Sequence, residues 1–159
     1  MTVTGLPQRA GPRPAASRAL PHRQLDQQPT DPAVMQRLAK RIVDGVAGVH
    51  EEPSGISVPG ARALVLDAGV PPGPAEAFLV GREFAHLHPA PDHSLHMALP
   101  AHLARQAVER GWAEHHLLVG PGGLPTTIVM VYAPRDEAEL DVVLALLHAS
   151  YEFAADGER

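Results

Sequence analysis

Phe84-Ala85-His86-Leu87-His88-Pro89-Ala90-Pro91-Asp92-His93-Ser94-Leu95-His96-Met97-Ala98-Leu99 is the stretch whose reading decides how this chain folds. Two alternating segments flank a loop rich in proline, the pattern of an antiparallel hairpin. Successive strand residues point to opposite faces. With residues 89–93 as the loop, His88 is expected opposite Ser94 and His86 opposite His96. One face should then carry Phe84, His86, His88, Ser94, His96 and Ala98. The other carries Ala85, Leu87, Leu95, Met97 and Leu99, an unbroken apolar set that has to meet a core.

Working outward, Thr30-Asp31-Pro32 reads as a helix start, with Asp31 as the cap and Pro32 at the first helical position. Val34, Met35, Leu38, Ile42, Val43 and Val46 follow at helical spacing. Residues 51–60 read as a loop, 62–67 as a strand, and 77–88 as a long strand able to bend at Gly81. Pro100 opens a short helix stopped by Gly111. A strand is expected near 113–118, and the apolar run 126–133 reads as a central strand. Asp136 and Glu139 form a capping box ahead of a last amphipathic helix. The fold class is therefore α+β: one domain, with a mainly antiparallel sheet of about five strands and three helices on one face.

Residues 1–29 are interrupted by Pro7, Pro12, Pro14, Pro21 and Pro29 and hold few large apolar side chains. They are expected to form a disordered Pro/Arg-rich tail ahead of a domain spanning 30–155, with 156–159 as a second tail. The prolines also break any apolar segment of a secretory signal. No apolar run approaches the ~18 residues of a spanning helix, so the expected location is cytoplasmic, with no membrane partner. The chain has 159 residues and a formal net charge of −5. Its acidity argues against a dedicated nucleic-acid binder, which needs several basic phosphate contacts.

With no cysteine in the chain, only histidine and carboxylates remain as metal ligands. Ten histidines are present, and seven fall between His86 and His116. His-X-His with a histidine from the paired strand is how some catalytic zinc sites are built, because opposed side chains lie ~4.5–5.5 Å apart. His86, His88 and His96 are thus candidate ligands for a divalent metal such as zinc, or acid–base groups near neutral pH. Three ordinary imidazoles on a half-solvated sheet face fit the same alternation. Glu114 shares strand parity with Trp112 and His116 and is placed to orient an imidazole N–H or act as a base. Glu83 falls on the core-facing parity unless a bulge intervenes, and its expected partner is Arg82 or Arg62. A cupin reading fails, because residues 120–125 offer no counterpart of that fold's second segment. No flavin or nucleotide motif is present; Gly120-Pro121-Gly122-Gly123 precedes no helix.

The runs Val80 to Pro89, Ser94-Leu95-His96, Gly111 to His116 and Met130 to Asp136 resemble the small bacterial and fungal luciferase-domain family over about residues 34–154. The resemblance implies that Glu83, His86, His88, Ser94, His96, Trp112, Glu114 and His116 are the family's site positions. On that basis Glu83, His86, His88, His96 and Glu114 are candidate catalytic residues, and Ser94, Trp112 and His116 candidate ligand-binding residues. The family name is not an activity; the chain is far shorter than the ~250 residues of a TIM barrel, the fold of flavin-dependent luciferases. A weaker likeness to YjbR-type double-wing domains bears on the fold alone. Three functions fit: a His/Glu-lined small-molecule enzyme, an accessory partner-binding module, and, least well, a double-wing nucleic-acid binder.

Overall fold

The hairpin predicted at 84–99 forms with the expected register. In a computed structural model that describes residue 3 and residues 5–155, Ala85 pairs with Met97, His86 with His96 and Leu87 with Leu95. The His88 N–H donates to the Ser94 carbonyl at 3.0 Å. The elements in chain order are α1 (Ala33–Gly45), β1 (Val49–Pro53), β2 (Arg62–Leu66), β3 (Glu83–Leu87), β4 (Leu95–Ala98), α2 (Ala101–Glu109), β5 (Ala113–His115), β6 (Ile128–Val131) and α3 (Glu137–Ala154). The strands form a six-stranded sheet in the order β1-β2-β3-β4-β6-β5, antiparallel at every pairing.

The sheet has six strands rather than about five because Val49–Pro53, whose residues 51–53 fall in the loop expected from sequence, is an edge strand with four exposed residues out of five. Only Val49 meets the core, so no alternation marks it. The expected long strand 77–88 is instead a 3₁₀ turn over Ala75–Ala77 followed by the five residues of β3. The tail expected at 156–159 lies outside the described residues.

The apolar set behaves as the alternation demands. Ala85, Leu87, Leu95, Met97 and Leu99 are all buried and join Leu38, Ile42, Leu103, Leu140, Val143 and Leu147 from the three helices in one core. Asp136 caps α3 by accepting the Glu139 N–H at 2.9 Å. The Glu139 carboxylate reaches one residue further back than a capping box requires, to the Arg135 N–H at 2.9 Å. Among the described residues no helix is long and apolar enough to cross a membrane.

Residues 5–29, expected as a disordered tail, lie instead against the domain. The segment buries one large apolar side chain, Leu6, alongside Arg9, His22 and Gln24. Polar bonds hold the rest: Trp112 Nε1 donates to the Pro7 carbonyl at 2.7 Å, Arg9 N to Arg110 O at 2.9 Å, and Arg13 Nη1 to Ala113 O at 3.0 Å. The Gln24 side chain accepts the Ala133 N–H at 2.8 Å. Gly111, with φ +82°, ends α2 where the segment crosses it, and a Cβ there would meet the Arg9 side chain at 3.5 Å. Hydrophobic composition registers apolar burial and misses a strand-free segment attached by hydrogen bonds.

Two stability outcomes follow. Met97→Ala should cost about 2–5 kcal/mol, as large-to-small changes in a packed core do, measured by chemical denaturation. Deleting residues 1–29 should lower the thermal midpoint, because it uncovers one face of the sheet; an unchanged midpoint would mean that the segment does not stay docked.

Candidate functional site

The strand register places one row of side chains across the face opposite the helices. Ala63 pairs with His86, His86 with His96, His96 with Met130 and Met130 with Glu114. Paired residues share a face, so His86 and His96 sit side by side and Glu114 lies two strands beyond. Glu83 joins this face through a bulge. Val65 pairs with Glu83 while Leu64 pairs with Ala85, which leaves Phe84 as the extra residue. Phe84 turns into the core against Tyr151, ring centroids 6.3 Å apart, rather than joining the histidines as simple alternation requires. Glu83 thereby avoids the core. Its partners are His86, Ser54 and Gly55, not the arginines expected; Arg62 bonds to Glu51, and Arg82 to backbone carbonyls.

Three imidazoles converge. His86 Nε2 lies 3.0 Å from His96 Nδ1, and His88 Nε2 lies 3.1 Å from the same atom. The outer nitrogens meet carboxylates. His86 Nδ1 is 3.0 Å from Glu83 Oε1, and His88 Nδ1 is 2.9 Å from Asp92 Oδ2. Ser94 Oγ, 2.9 Å from His88 Nδ1, donates its own proton to Asp92 Oδ1 at 2.8 Å. The outer nitrogen of His96, Nε2, faces His22 Nδ1 at 3.2 Å. His22 Nε2 in turn meets Glu114 Oε2 at 2.9 Å, and the Tyr132 hydroxyl donates to Glu114 Oε1 at 2.9 Å.

These contacts decide the tautomers, because an ionised carboxylate only accepts. His86 and His88 carry their protons on Nδ1, leaving Nε2 bare. His22 carries its proton on Nε2, so its bare Nδ1 accepts from His96 Nε2–H. The Nδ1 of His96 is then bare as well. Three lone pairs, from His86 Nε2, His88 Nε2 and His96 Nδ1, therefore point into one space with no hydrogen between them. Their ring nitrogens lie within 4.8 Å of one another. Two ligands at ~2.0–2.1 Å from a tetrahedral zinc stand roughly 3.3 Å apart, close to the separations at His96. A second grouping of His22, His96 and His116 lacks this property. His116 accepts the Leu118 N–H at Nδ1, so its proton sits on Nε2, and His96 Nε2 carries a proton too.

The centre is dry. His86, His88 and His96 are buried, at 4%, 8% and 5% exposure, and His22 is at 2%. Burial, helped by His88, outweighs the Glu83 hydrogen bond and lowers the His86 pKa. Burial also lowers His96 well below the usual imidazole value, reinforced by the surrounding histidines. It brings His116 down to about 4, again with help from its histidine neighbours. Burial acts to raise Glu83, Asp92 and Glu114, but hydrogen bonds, first from His86, His88 and His22 respectively, hold all three below the ordinary carboxylate range. Burial and Glu114 push Tyr132 up to about 12.

Of the residues singled out by sequence, Glu83, His86, His88, Ser94 and His96 are brought together by direct bonds. Glu114 is joined to them through His22, and His116 packs on His96 with ring centroids 4.7 Å apart. Trp112 belongs to the apolar core and anchors the N-terminal segment. Sequence reasoning missed His22, which lies in the stretch expected to be disordered. It also gave Asp92 no role, although a carboxylate in the hairpin loop, four residues after His88, is a usable signal. A cavity of about 240 Å³ adjoins the far end of this chain of bonds, lined by residues 13–18 with Glu114 and Tyr132.

Comparison with known proteins agrees with the motifs. Residues 81–150 match the family described as Luciferase domain. The chain is 34% identical over 158 residues to a protein named Luciferase from Armillaria gallica and equally to one from Armillaria mellea, covering 91% of this chain and 59% of theirs. A protein of the same name from Neonothopanus nambi is 31% identical over 161 residues, covering 93% of this chain and 60% of its own. Residues 81–150 of this chain thus carry the likeness to the luciferase-domain family. The chain spans about three-fifths of the length of these curated relatives. No solved structure matches it. The matched segment contains every polar residue of the centre from Glu83 to Tyr132, whereas His22 and Ser54 lie before it.

Because His86, His96 and His116 have lowered pKa values when folded, the unfolded chain binds more protons as pH falls below about 6.5. The lowered carboxylates act in the same direction at lower pH. Stability of the metal-free protein should therefore be complete above pH 6.5 and fall as pH drops toward 4, as read from denaturation midpoints across that range. A midpoint independent of pH from 7 to 4 would contradict the buried, neutral cluster.

Proposed function

We propose that His86 Nε2, His88 Nε2 and His96 Nδ1 bind one divalent metal ion such as zinc, and that the centre carries out metal-assisted acid–base chemistry on a small molecule. The observation that supports this most is the convergence of three lone pairs whose outer nitrogens are engaged by Glu83, Asp92 and His22. Neutral imidazoles in this arrangement repel one another, and a cation among them removes the repulsion. Carboxylates on the outer nitrogens are the usual way that metal-bound histidines are oriented and made more basic. Three histidine ligands leave one position open, and a metal there acts as a Lewis acid or lowers the pKa of bound water.

The protein's own groups supply the remaining functions. Glu83 and Asp92 hold His86 and His88 in one tautomer and fix their rings. The path from His96 through His22 to Glu114 and Tyr132 ends at the cavity, where a proton can pass between a bound molecule and the buried centre. That cavity lies just below the ~300–1,000 Å³ usual for ligand sites. Arg13 and Arg18 in its wall favour a small molecule with an acidic group. What this chain shares with the fungal luciferases, on this reading, is the centre; light emission belongs to those longer proteins by name.

Elemental analysis of protein purified without a polyhistidine tag or a chelating column should find about one equivalent of a transition metal per chain, or the apoprotein should take up one equivalent of zinc in dialysis. A variant with His86, His88 and His96 all changed to Ala should bind none. A folded parent protein that takes up no zinc would overturn the reading.

A further inference from the structure

We propose that His22 is a positioning residue of this centre, through which the N-terminal segment supplies the third of three imidazole–carboxylate connections. The inference rests on the metal reading above and adds a residue, and a dependence on the segment 5–29, that the family-matched stretch does not contain.

The sheet provides for two of the three rings by itself. The bulge at Phe84 turns Glu83 toward His86, and the hairpin loop brings Asp92 to His88. His96 has no such carboxylate within its own hairpin. Its neighbour in the row on β6 is Met130, which offers at most a weak acceptor. Glu114, the carboxylate of the same row, sits on β5 beyond that strand, two inter-strand spacings of ~4.8 Å away. Glu114 bonds to His22 and Tyr132 and not directly to His96.

His22 fills that gap. Its Nδ1 is 3.2 Å from His96 Nε2 and its Nε2 is 2.9 Å from Glu114, so one ring accepts at one end and donates at the other. Its ring lies 5.3 Å from that of His96 between centroids with 30° between planes, the near-coplanar edge-to-edge arrangement of an N–H···N bond, and meets His116 edge-on at 5.2 Å. The flanking chain is pinned by Gln24 to Ala133 and by Trp112 to Pro7, so the ring's place is set by the docked segment and by no strand. Docking and metal affinity are consequently linked, each favouring the other.

Cobalt(II) titration of the full chain, followed by its visible absorption, tests this. His22→Phe keeps an aromatic ring and removes both hydrogen bonds; His22→Asn keeps an acceptor where Nδ1 lies. The parent should bind one equivalent. His22→Phe should also bind one, about 10–100-fold more weakly and with a shifted spectrum, and His22→Asn should recover most of the affinity. Equal binding by His22→Phe and the parent, with one spectrum, overturns the proposal while leaving the metal centre standing. So does an Asn variant as weak as Phe. Loss of a whole equivalent in His22→Phe would make His22 a ligand and likewise overturn its positioning role. A parent that binds no cobalt overturns the metal reading itself, and this inference with it. If His22→Phe does not fold, Glu114→Gln removes the charge at the end of the path; weaker cobalt binding is expected, and unchanged affinity counts against the proposal.

Discussion

His96 hydrogen-bonds at its outer nitrogen and meets two other imidazoles at its inner one, and the polar half of this structure is arranged around that ring. Its Nε2 is committed to His22, which leaves Nδ1 facing the bare nitrogens of His86 and His88. Every carboxylate of the centre engages one of these rings, directly or through His22. In a dry interior each such group needs a partner, because an unpaired buried polar atom costs ~1–3 kcal/mol. The network pairs the outer nitrogens and leaves three inner lone pairs together, so the constraint on the site is electrostatic.

Two kinds of packing hold this arrangement. On one side of the sheet, helices α1, α2 and α3 bury an apolar surface that fixes the strand register and with it the pairing of His86 with His96. On the other side, the N-terminal segment covers the histidines almost without apolar contact, through backbone and side-chain hydrogen bonds. The first side sets where the imidazoles stand. The second removes water from them, and burial then lowers the His86, His96 and His116 pKa values. The family-matched residues 81–150 include all three converging imidazoles.

The α+β class, the three helices, the hairpin register and the juxtaposition of His86, His88 and His96 were legible in the sequence, because each depends on local periodicity. Alternation of Leu95 and Met97 with His96 specifies a face, and a five-residue loop specifies who opposes whom. Strand β1 was not legible, since an exposed edge strand has no buried face to impose alternation. Glu83 was legible as a chemical group but not as a partner of His86, because a bulge reverses parity from one residue to the next and leaves no compositional mark.

What the sequence by itself determined is which residues share a sheet face, since a period of two and a short loop leave few alternatives. Whether that face would be wet or dry was decided by the tertiary structure alone. The residues that cover it, His22 and Gln24 among them, come from a stretch with no periodic pattern, and their partners Glu114, His96 and Ala133 are 74 to 109 positions away. Hydrogen bonds of such long range leave no local signature, because each depends on the angle and distance between groups that only the folded sheet brings together.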